Sequence, residues 1–277
     1  MTDETPNSVA VLGSYVRANG INIYYEQRGS GTPLLLLHGG TGTCRWFDGQ
    51  VAVLAEHFQV FTLDSRGHGK TDNPTGRLSY RAMGDDVAAF IQELQLEQPL
   101  LVGFSDGAQI ALEIGIRYPQ VAHALVLCGV YSRLTESAMR SMFTFGVEGP
   151  NKVNYERMER DLPGLVQFLA GRTHGGKDPA LANSARSDFR DVVCPARLCR
   201  SKITINDGSH PDCRRTDRSG FIPVEEALYM YRLIPNAEFA ITPNAGHFFP
   251  KRPRILSSLR CDFLLRREEK TVTGDSN

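Results

Sequence analysis

Short uninterrupted apolar runs alternate along the chain with longer segments in which apolar residues recur at helical spacing. Runs such as Leu34–Leu37 and Leu100–Val102 lack the alternation of a half-exposed strand and are typical of strands buried on both faces of a parallel sheet. Residues 80–96 carry apolar side chains at helical spacing, which predicts a helix. Strands that alternate with helices of this length predict a doubly wound, mostly parallel α/β sheet.

The other predicted elements extend this alternation in both directions. Asn19-Gly20 is a strong turn signal and predicts a hairpin before the first buried strand. Further helices are predicted at residues 46–58, from the Gly-rich turn near 105 to about 118, at 223–234 and at 254–267, and further strands at 59–67, 121–130 and 237–243.

The alternation stops after Tyr131, and this break predicts the domain organisation. Residues 132–190 contain no obvious buried strand and consist of helical pieces interrupted by Gly and Pro. We therefore predict a first part of the α/β core at 1–131, a small helical cap at 132–190, and the second part of the core with a polar C-terminal tail at 191–277.

Composition narrows the class of protein. The 277 residues are 41% hydrophobic and 22% charged, which is ordinary for a globular protein with a large core. Because 31 basic residues balance 31 acidic ones, neither nucleic acid nor an acidic membrane surface is an expected partner. The polar, acidic start lacks the pattern of a signal peptide, so we expect a cytoplasmic protein with six reduced cysteines. The oligomeric state is left open.

A serine between two glycines is the strongest chemical signal. Residues 103–107 read Gly-Phe-Ser-Asp-Gly and lie between a predicted buried strand and a predicted helix. A serine in such a turn can be turn chemistry alone. In this context the G-x-S-x-G pattern indicates a nucleophile on a strained elbow, where neighbours without a Cβ let the turn close. We therefore predict that Ser105 is the nucleophile.

A serine nucleophile needs a base, and it needs donors for the oxyanion. His247 follows a predicted strand late in the chain, which fits the chain order Ser, acid, His and predicts the base. Asp106 follows the nucleophile and Gly40 lies in the loop after a buried strand, so their backbone amides are the predicted oxyanion hole. His38 and His68, in the loops after the buried strands, are weaker candidates for the base.

Four motifs together resemble the α/β-hydrolase-fold serine hydrolases: Leu34–Gly40 (LLLLHGG), Asp64–Gly69 (DSRGHG), Gly103–Gly107 (GFSDG) and Asn244–His247 (NAGH). The elbow is similar to that of valacyclovir-hydrolase-like esterases, and DSRGHG to enol-lactone hydrolases and cofactor-free perhydrolases. The resemblance implies cleavage of a small-molecule ester, lactone or thioester without a cofactor.

The triad acid departs from the family pattern. The family carries Gly-Asp-x-Asp after the seventh strand with a proline about four residues later, and counting back from Pro223 reaches Ser219. Asp217 is nearest in register and is the predicted acid. Asp207 is the alternative if Ile203–Ile205 is the seventh strand, and loss of the acid is another. The remaining carboxylate of the polar stretch at 195–220, which is longer than the family needs, is Asp212.

The same polar stretch contains possible metal ligands. These are Cys194, Cys199, His210 and Cys213, but their spacing is wider than that of structural zinc sites, so we expect no metal.

Two functions other than ester hydrolysis are alternatives. The irregular acid motif is compatible with a non-catalytic α/β-hydrolase scaffold that binds a small molecule. A cofactor-free perhydrolase is the other alternative to an esterase.

Overall fold

The computed structural model describes residues 12–131, 147–149, 152–161, 201–206, 224–234 and 237–242. Its strands are β1 (Leu12–Ala18), β2 (Ile21–Arg28), β3 (Pro33–Leu37), β4 (Gln59–Leu63), β5 (Leu100–Phe104), β6 (Ala124–Cys128), β7 (Val147–Gly149), β8 (Lys152–Val153), β9 (Ser201–Asn206) and β10 (Glu238–Thr242). Eight of them form one sheet in the order β1-β2-β4-β3-β5-β6-β9-β10, while β7 and β8 pair separately.

The helices follow the predicted alternation. They are α1 (Asp48–Leu54), α2 (Tyr80–Glu93), α3 (Asp106–Arg117), α4 (Tyr155–Asp161) and α5 (Val224–Leu233), with a 3₁₀ turn at Cys44–Phe47. The Ser79 hydroxyl accepts a hydrogen bond of 3.1 Å from the Ala82 N–H and so caps the start of α2. The helix predicted at 46–58 is shorter because the chain turns after Leu54 to reach β4.

The continuous apolar strands are buried on both faces, as their sequence predicts. Leu34 and Leu36 pack with the α1 side of the sheet, whereas Leu35 and Leu37 pack with α2 and α3. All four are at most 1% exposed. This two-sided burial confirms the doubly wound, mostly parallel α/β architecture.

The strand order gathers the loops of interest at one edge. The strands β4, β3, β5, β6, β9 and β10 run parallel to one another, whereas β2 pairs antiparallel with both β1 and β4. The segments that leave the carboxyl ends of the parallel strands therefore start from a common edge, where ligands bind in open α/β sheets. The elbow after β5 and the loops after β3 and β4 lie there.

Two regions refine the predicted organisation. The segment predicted as a helical cap includes α4, but also the short antiparallel pair β7 and β8, in which Val147 pairs with Val153. The polar stretch before 207 does contain the seventh strand of the large sheet, because β9 pairs with β6 on one side and β10 on the other. None of the helices among the described residues is long and apolar enough to cross a membrane.

Candidate active site

Ser105 occupies a strained turn between β5 and α3. Its backbone has φ +53° and ψ −117°, on the positive-φ side that a residue with a Cβ rarely adopts, at a cost of about 1–3 kcal/mol. Hydrogen bonds hold the turn: the Ser105 N–H donates to the Cys128 carbonyl at 2.8 Å, and the Ser105 carbonyl accepts from Ala108 and Gln109 at 2.8 and 3.1 Å. The predicted nucleophile therefore lies on a sharp strand-to-helix elbow.

The two glycines of the elbow are required by close backbone contacts. A Cβ on Gly103 would overlap the carbonyl of Gly107, and a Cβ on Gly107 would overlap the carbonyls of Leu37 and His38. Both overlaps are with main-chain atoms, which cannot move aside as a flexible side chain can. The G-x-S-x-G pattern is therefore a steric requirement of this turn.

The loop after β3 packs directly against the elbow. A Cβ placed on Gly39 would lie 3.2 Å from the Ser105 Cβ, and one on Gly40 would lie 2.6 Å from Asp106 Oδ2. The Gly42 N–H closes a turn in this loop by donating to the Gly39 carbonyl at 3.0 Å. The structure thus brings the two predicted oxyanion donors, Gly40 and Asp106, beside Ser105. Their role as donors stays a prediction.

His38 anchors this loop and is not placed as a base. Its Nε2 accepts a hydrogen bond of 3.0 Å from the Ser65 N–H, so its Nδ1 carries the proton and donates to the Gly39 carbonyl at 2.8 Å. Burial, helped by the charge of nearby His68, lowers the pKa of His38 to about 3. A buried neutral imidazole with both nitrogens engaged links the loops after β3 and β4.

Asp64 and Asp86 stabilise the loop after β4. Buried Asp64 accepts backbone hydrogen bonds from Cys44 at 2.7 Å and Lys70 at 2.8 Å, so it joins this loop to the end of the loop after β3. Asp86 on α2 pairs with Arg66 through two contacts, Nε–Oδ2 at 2.7 Å and Nη2–Oδ1 at 2.5 Å. Removing one partner of such a buried pair typically costs about 3–5 kcal/mol.

The Asp106 carboxylate lies in a polar cluster that the sequence did not reveal. Oδ1 accepts a hydrogen bond of 2.9 Å from the Tyr80 hydroxyl at the start of α2. Burial raises the pKa of Asp106, while the Tyr80 hydrogen bond and the charge of His68 act in the opposite direction. Burial also raises the pKa of Tyr131, and the charge of Asp106 adds to this effect. No motif marks Tyr80, because the contact depends on how α2 packs against α3.

The predicted base and acid lie outside the described residues. These positions are His247, Asp217 and the alternatives Asp207, Asp212 and Ser219, as well as the four possible metal ligands. The structure does show where their segments begin: β9 ends at Asn206 and β10 at Thr242, two residues paired with each other across parallel strands. Both segments thus leave the same sheet edge as the elbow.

Comparison with known families assigns the chain. The family model described as "alpha/beta hydrolase fold" matches residues 32–200, more than half of the chain. This chain belongs to the α/β hydrolase fold family. The family assignment agrees with the resemblance drawn from the four sequence motifs.

Several curated proteins to which this chain is similar are named as hydrolases. The AB hydrolase superfamily protein YisY of Bacillus subtilis is 35% identical over 39% of this chain, a match that spans only 41% of that relative. The 2-(acetamidomethylene)succinate hydrolase of Mesorhizobium japonicum is 25% identical, over 82% of this chain and 86% of its own. The 2-hydroxy-6-oxo-2,4-heptadienoate hydrolase of Pseudomonas putida is 27% identical, over 87% and 92%.

Solved structures support the same fold. A thermophilic esterase from Thermogutta terrifontis superimposes with a TM-score of 0.71 at 23% identity, covering 92% of this chain and 98% of that one. The enol-lactonase from Burkholderia xenovorans superimposes with a TM-score of 0.69 at 20% identity, covering 91% and 100%. At these identities the likeness shows the α/β hydrolase fold alone.

Proposed function

We propose that this protein is a serine hydrolase that cleaves a carboxylic ester, lactone or thioester of a small molecule through an acyl-enzyme. The conformation of Ser105 is the observation that carries the proposal. A positive φ at a residue other than glycine persists only where the surrounding structure holds it, and such strain clusters at functional sites. Here the strained residue is a serine that lies between Gly103 and Gly107, two positions that admit no side chain.

The proposed reaction begins with attack of Ser105 Oγ on the acyl carbon while His247 takes the hydroxyl proton. The N–H groups of Gly40 and Asp106 then stabilise the tetrahedral oxyanion, and the first turn of α3 adds the positive end of its dipole. His247 returns the proton to the leaving group. Water activated by the same imidazole hydrolyses the acyl-enzyme and restores the serine. Only protein groups and water take part.

The position at which β9 ends helps to choose among the candidate triad acids. The residue closest to the carboxyl end of a parallel strand is the one best placed to reach the site at that edge. Asp207 follows the last residue of β9 directly, whereas Asp212 and Asp217 come later in the chain. We therefore favour Asp207 as the carboxylate that orients His247, ahead of the acid favoured by sequence register alone.

Hydrolysis of a carbon–carbon bond is the second candidate. The Pseudomonas putida relative is named for a hydroxy-oxo-dienoate, which contains no ester, and it aligns over 87% of this chain. A serine hydrolase site that cleaves esters and one that cleaves such a ketone differ in the substrate that they hold rather than in the elbow. The same substrate panel can separate the two.

The test combines labelling with turnover. A fluorophosphonate probe is expected to label the wild type, and p-nitrophenyl esters of increasing chain length, together with a hydroxy-oxo-dienoate, are expected to show which bond is cleaved. Ser105→Ala should lose labelling and lower kcat by roughly six orders of magnitude, as loss of a triad serine does. The matched control is Ser65→Ala at the same sheet edge, which removes a hydroxyl and keeps the backbone N–H that holds His38.

Each alternative function predicts a different result in this test. Retained esterase activity in purified Ser105→Ala, above contaminating host enzymes, contradicts the proposed nucleophile. A wild-type protein that takes no label and cleaves no substrate in the panel, yet binds one of them, supports the non-catalytic scaffold. Formation of a peracid from a carboxylic acid and hydrogen peroxide supports the perhydrolase. The proposed partner is a small molecule, with no role for nucleic acid or membrane.

A further inference from the structure

The Asp106 carboxylate lies beside the proposed nucleophile, where a bound substrate would be close to its charge. It belongs to the residue directly after Ser105, and its Oδ2 is only 2.6 Å from the position that a Cβ of Gly40 would occupy. A Cβ placed on Gly39 of the same loop would lie 3.2 Å from the Ser105 Cβ. Thus the carboxylate, the nucleophile and the predicted oxyanion donors share one small region of the site.

No basic side chain among the described residues forms an ion pair with Asp106. Arg66 is paired with Asp86, and Arg117 is paired with Asp85 on the outer surface of α2 and α3. Lys70 lies over the ring of Tyr24, 4.2 Å from its centroid. Among the described residues, the Asp106 carboxylate accepts a hydrogen bond from the Tyr80 hydroxyl and forms no ion pair.

His68 lies beside His38 and is nearly completely buried. Its Nδ1 lies 3.0 Å from the Arg66 carbonyl and can only donate there, so in the neutral ring Nε2 is a bare acceptor. His68 is 3% exposed, and Nε2 has no hydrogen-bond partner among the described residues. Its ring centroid is 5.0 Å from that of His38 beneath the loop after β3.

From this arrangement we propose that the Asp106 carboxylate forms a negatively charged subsite beside Ser105, which discriminates against substrates that carry a carboxylate. Such a subsite accepts neutral substrates, particularly those with a hydroxyl or amide N–H that can donate to it. Like charges a few ångströms apart repel strongly when they are shielded from water. The inference rests on the proposed function, because it concerns the substrate of the same site.

The experiment compares isosteric pairs of esters that differ only in charge. One pair is p-nitrophenyl hydrogen adipate and p-nitrophenyl adipamate, with the charge in the acyl part. The other is 4-acetoxybenzoate and 4-acetoxybenzamide, with the charge in the leaving group. Assays are run at pH 8, where the substrate carboxylates are ionised. We expect wild-type kcat/KM to favour the neutral member of at least one pair by about tenfold or more.

The variants assign this preference to one carboxylate. Asp106→Asn keeps the size of the side chain and removes its charge, so it should bring the ratio for that pair close to one whatever it does to the absolute rates. Asp106→Ser is the second variant, in case the amide disturbs the loop. Asp85→Asn removes the same unit of charge from the surface of α2 and should leave the ratio unchanged.

A binding measurement separates this inference from the proposed function. In a Ser105→Ala background, the Kd values of the four esters are measured by calorimetry with and without Asp106→Asn, which requires no turnover. A preference for the neutral ligand that disappears with Asp106→Asn supports the subsite even if the wild type cleaves nothing. A wild-type ratio near one in both pairs, a ratio that Asp106→Asn leaves intact, or no binding of any ligand overturns it.

Discussion

The two halves of the carboxyl edge of the sheet are built differently. On one side, β3, β5 and β6 are continuous apolar runs whose side chains are buried on both faces, and the turns that follow them fit together with backbone atoms in contact. On the other side, β9 reads SKITIN and β10 reads EFAIT, with polar residues interleaved. In β10, Glu238 is exposed and Phe239 is only partly buried.

This difference explains which parts of the candidate triad the sequence can predict. The position of a nucleophile on a tight turn depends on local sterics, and local sterics leave a mark in the form of glycines at fixed offsets. The position of a triad acid depends on where a strand ends and how the following loop folds back. Any carboxylate in the right place serves, so the sequence around it is far less restricted.

Substitution of the proposed triad acid is expected to have the largest effect, and it tests the half of the sheet edge formed by β9 and β10. Asp207→Asn should lower kcat by roughly three to four orders of magnitude with little change in binding, since an amide can hold the imidazole in a tautomer that cannot accept the serine proton. Steady-state kinetics of a p-nitrophenyl ester cleaved by the wild type measures the effect. Asp212→Asn and Asp217→Asn should be nearly silent.

Other results with these variants would change which residue is assigned as the triad acid. A crippled Asp217→Asn with an unaffected Asp207→Asn restores the acid favoured by sequence register and shows that the end of β9 does not decide it. If all three variants match the wild type, Ser219→Asp becomes informative. A rise of about tenfold there, or 1.4 kcal/mol of barrier, indicates that the family acid is missing from this chain.

Gly107→Ala tests the close packing of the elbow half. The new Cβ overlaps the carbonyls of Leu37 and His38, so β3 and α3 must move apart, and we expect a loss of about 3 kcal/mol in the free energy of unfolding. Urea denaturation measures it. Gly76→Ala is the control: its φ of +64° is strained but its Cβ meets open space, so a loss of about 1 kcal/mol is expected. Equal losses would mean that the overlap is relieved at little cost.

His38 makes the elbow half sensitive to acid. Its pKa is about 3 in the folded protein and near 6.5 when unfolded, so below pH 6.5 the unfolded chain takes up a proton that the folded protein refuses. Stability contributed by neutral His38 is therefore complete above pH 6.5 and declines toward pH 3, by at most about 1.4 kcal/mol per pH unit. His38→Gln should flatten this slope in urea denaturation between pH 8 and 5.

A surface histidine provides the comparison for that measurement. His57→Gln changes an exposed residue and should keep the wild-type dependence on pH. If His38→Gln and His57→Gln follow the same curve as the wild type, the buried imidazole is not the source of the acid sensitivity.

The smallest expected effect concerns the predicted cap at 132–190. Phe143 and Phe145 lie outside the described residues, and replacing both with alanine should change the ratio of kcat/KM for short against long acyl esters by a few-fold, about what one or two methylenes contribute in an apolar pocket. An unchanged ratio with an unchanged fold counts against a role of this segment in chain-length selection.

Local sequence patterns predict some elements of the fold and the site and leave others unmarked. The hairpin at Asn19-Gly20, the buried strands β3 to β6 and the elbow at Ser105 were predictable because each leaves a local pattern. The ion pair of Arg66 with Asp86 and the hydrogen bond from Tyr80 to Asp106 were not, because their partners come from distant parts of the chain. The sequence predicts strand β9 only as an alternative, because its polar residues mask the apolar pattern of a buried strand.

At Ser105, selection for stability and selection for the proposed catalytic activity favour different residues. Glycine adopts a positive φ without the steric cost that serine bears, so Ser105→Gly removes both the strain and the hydroxyl. A library screened only for heat resistance is thus expected to enrich variants at the residue on which the proposed chemistry depends. Any programme to stabilise this protein has to hold position 105 constant and search for its gains elsewhere in the chain.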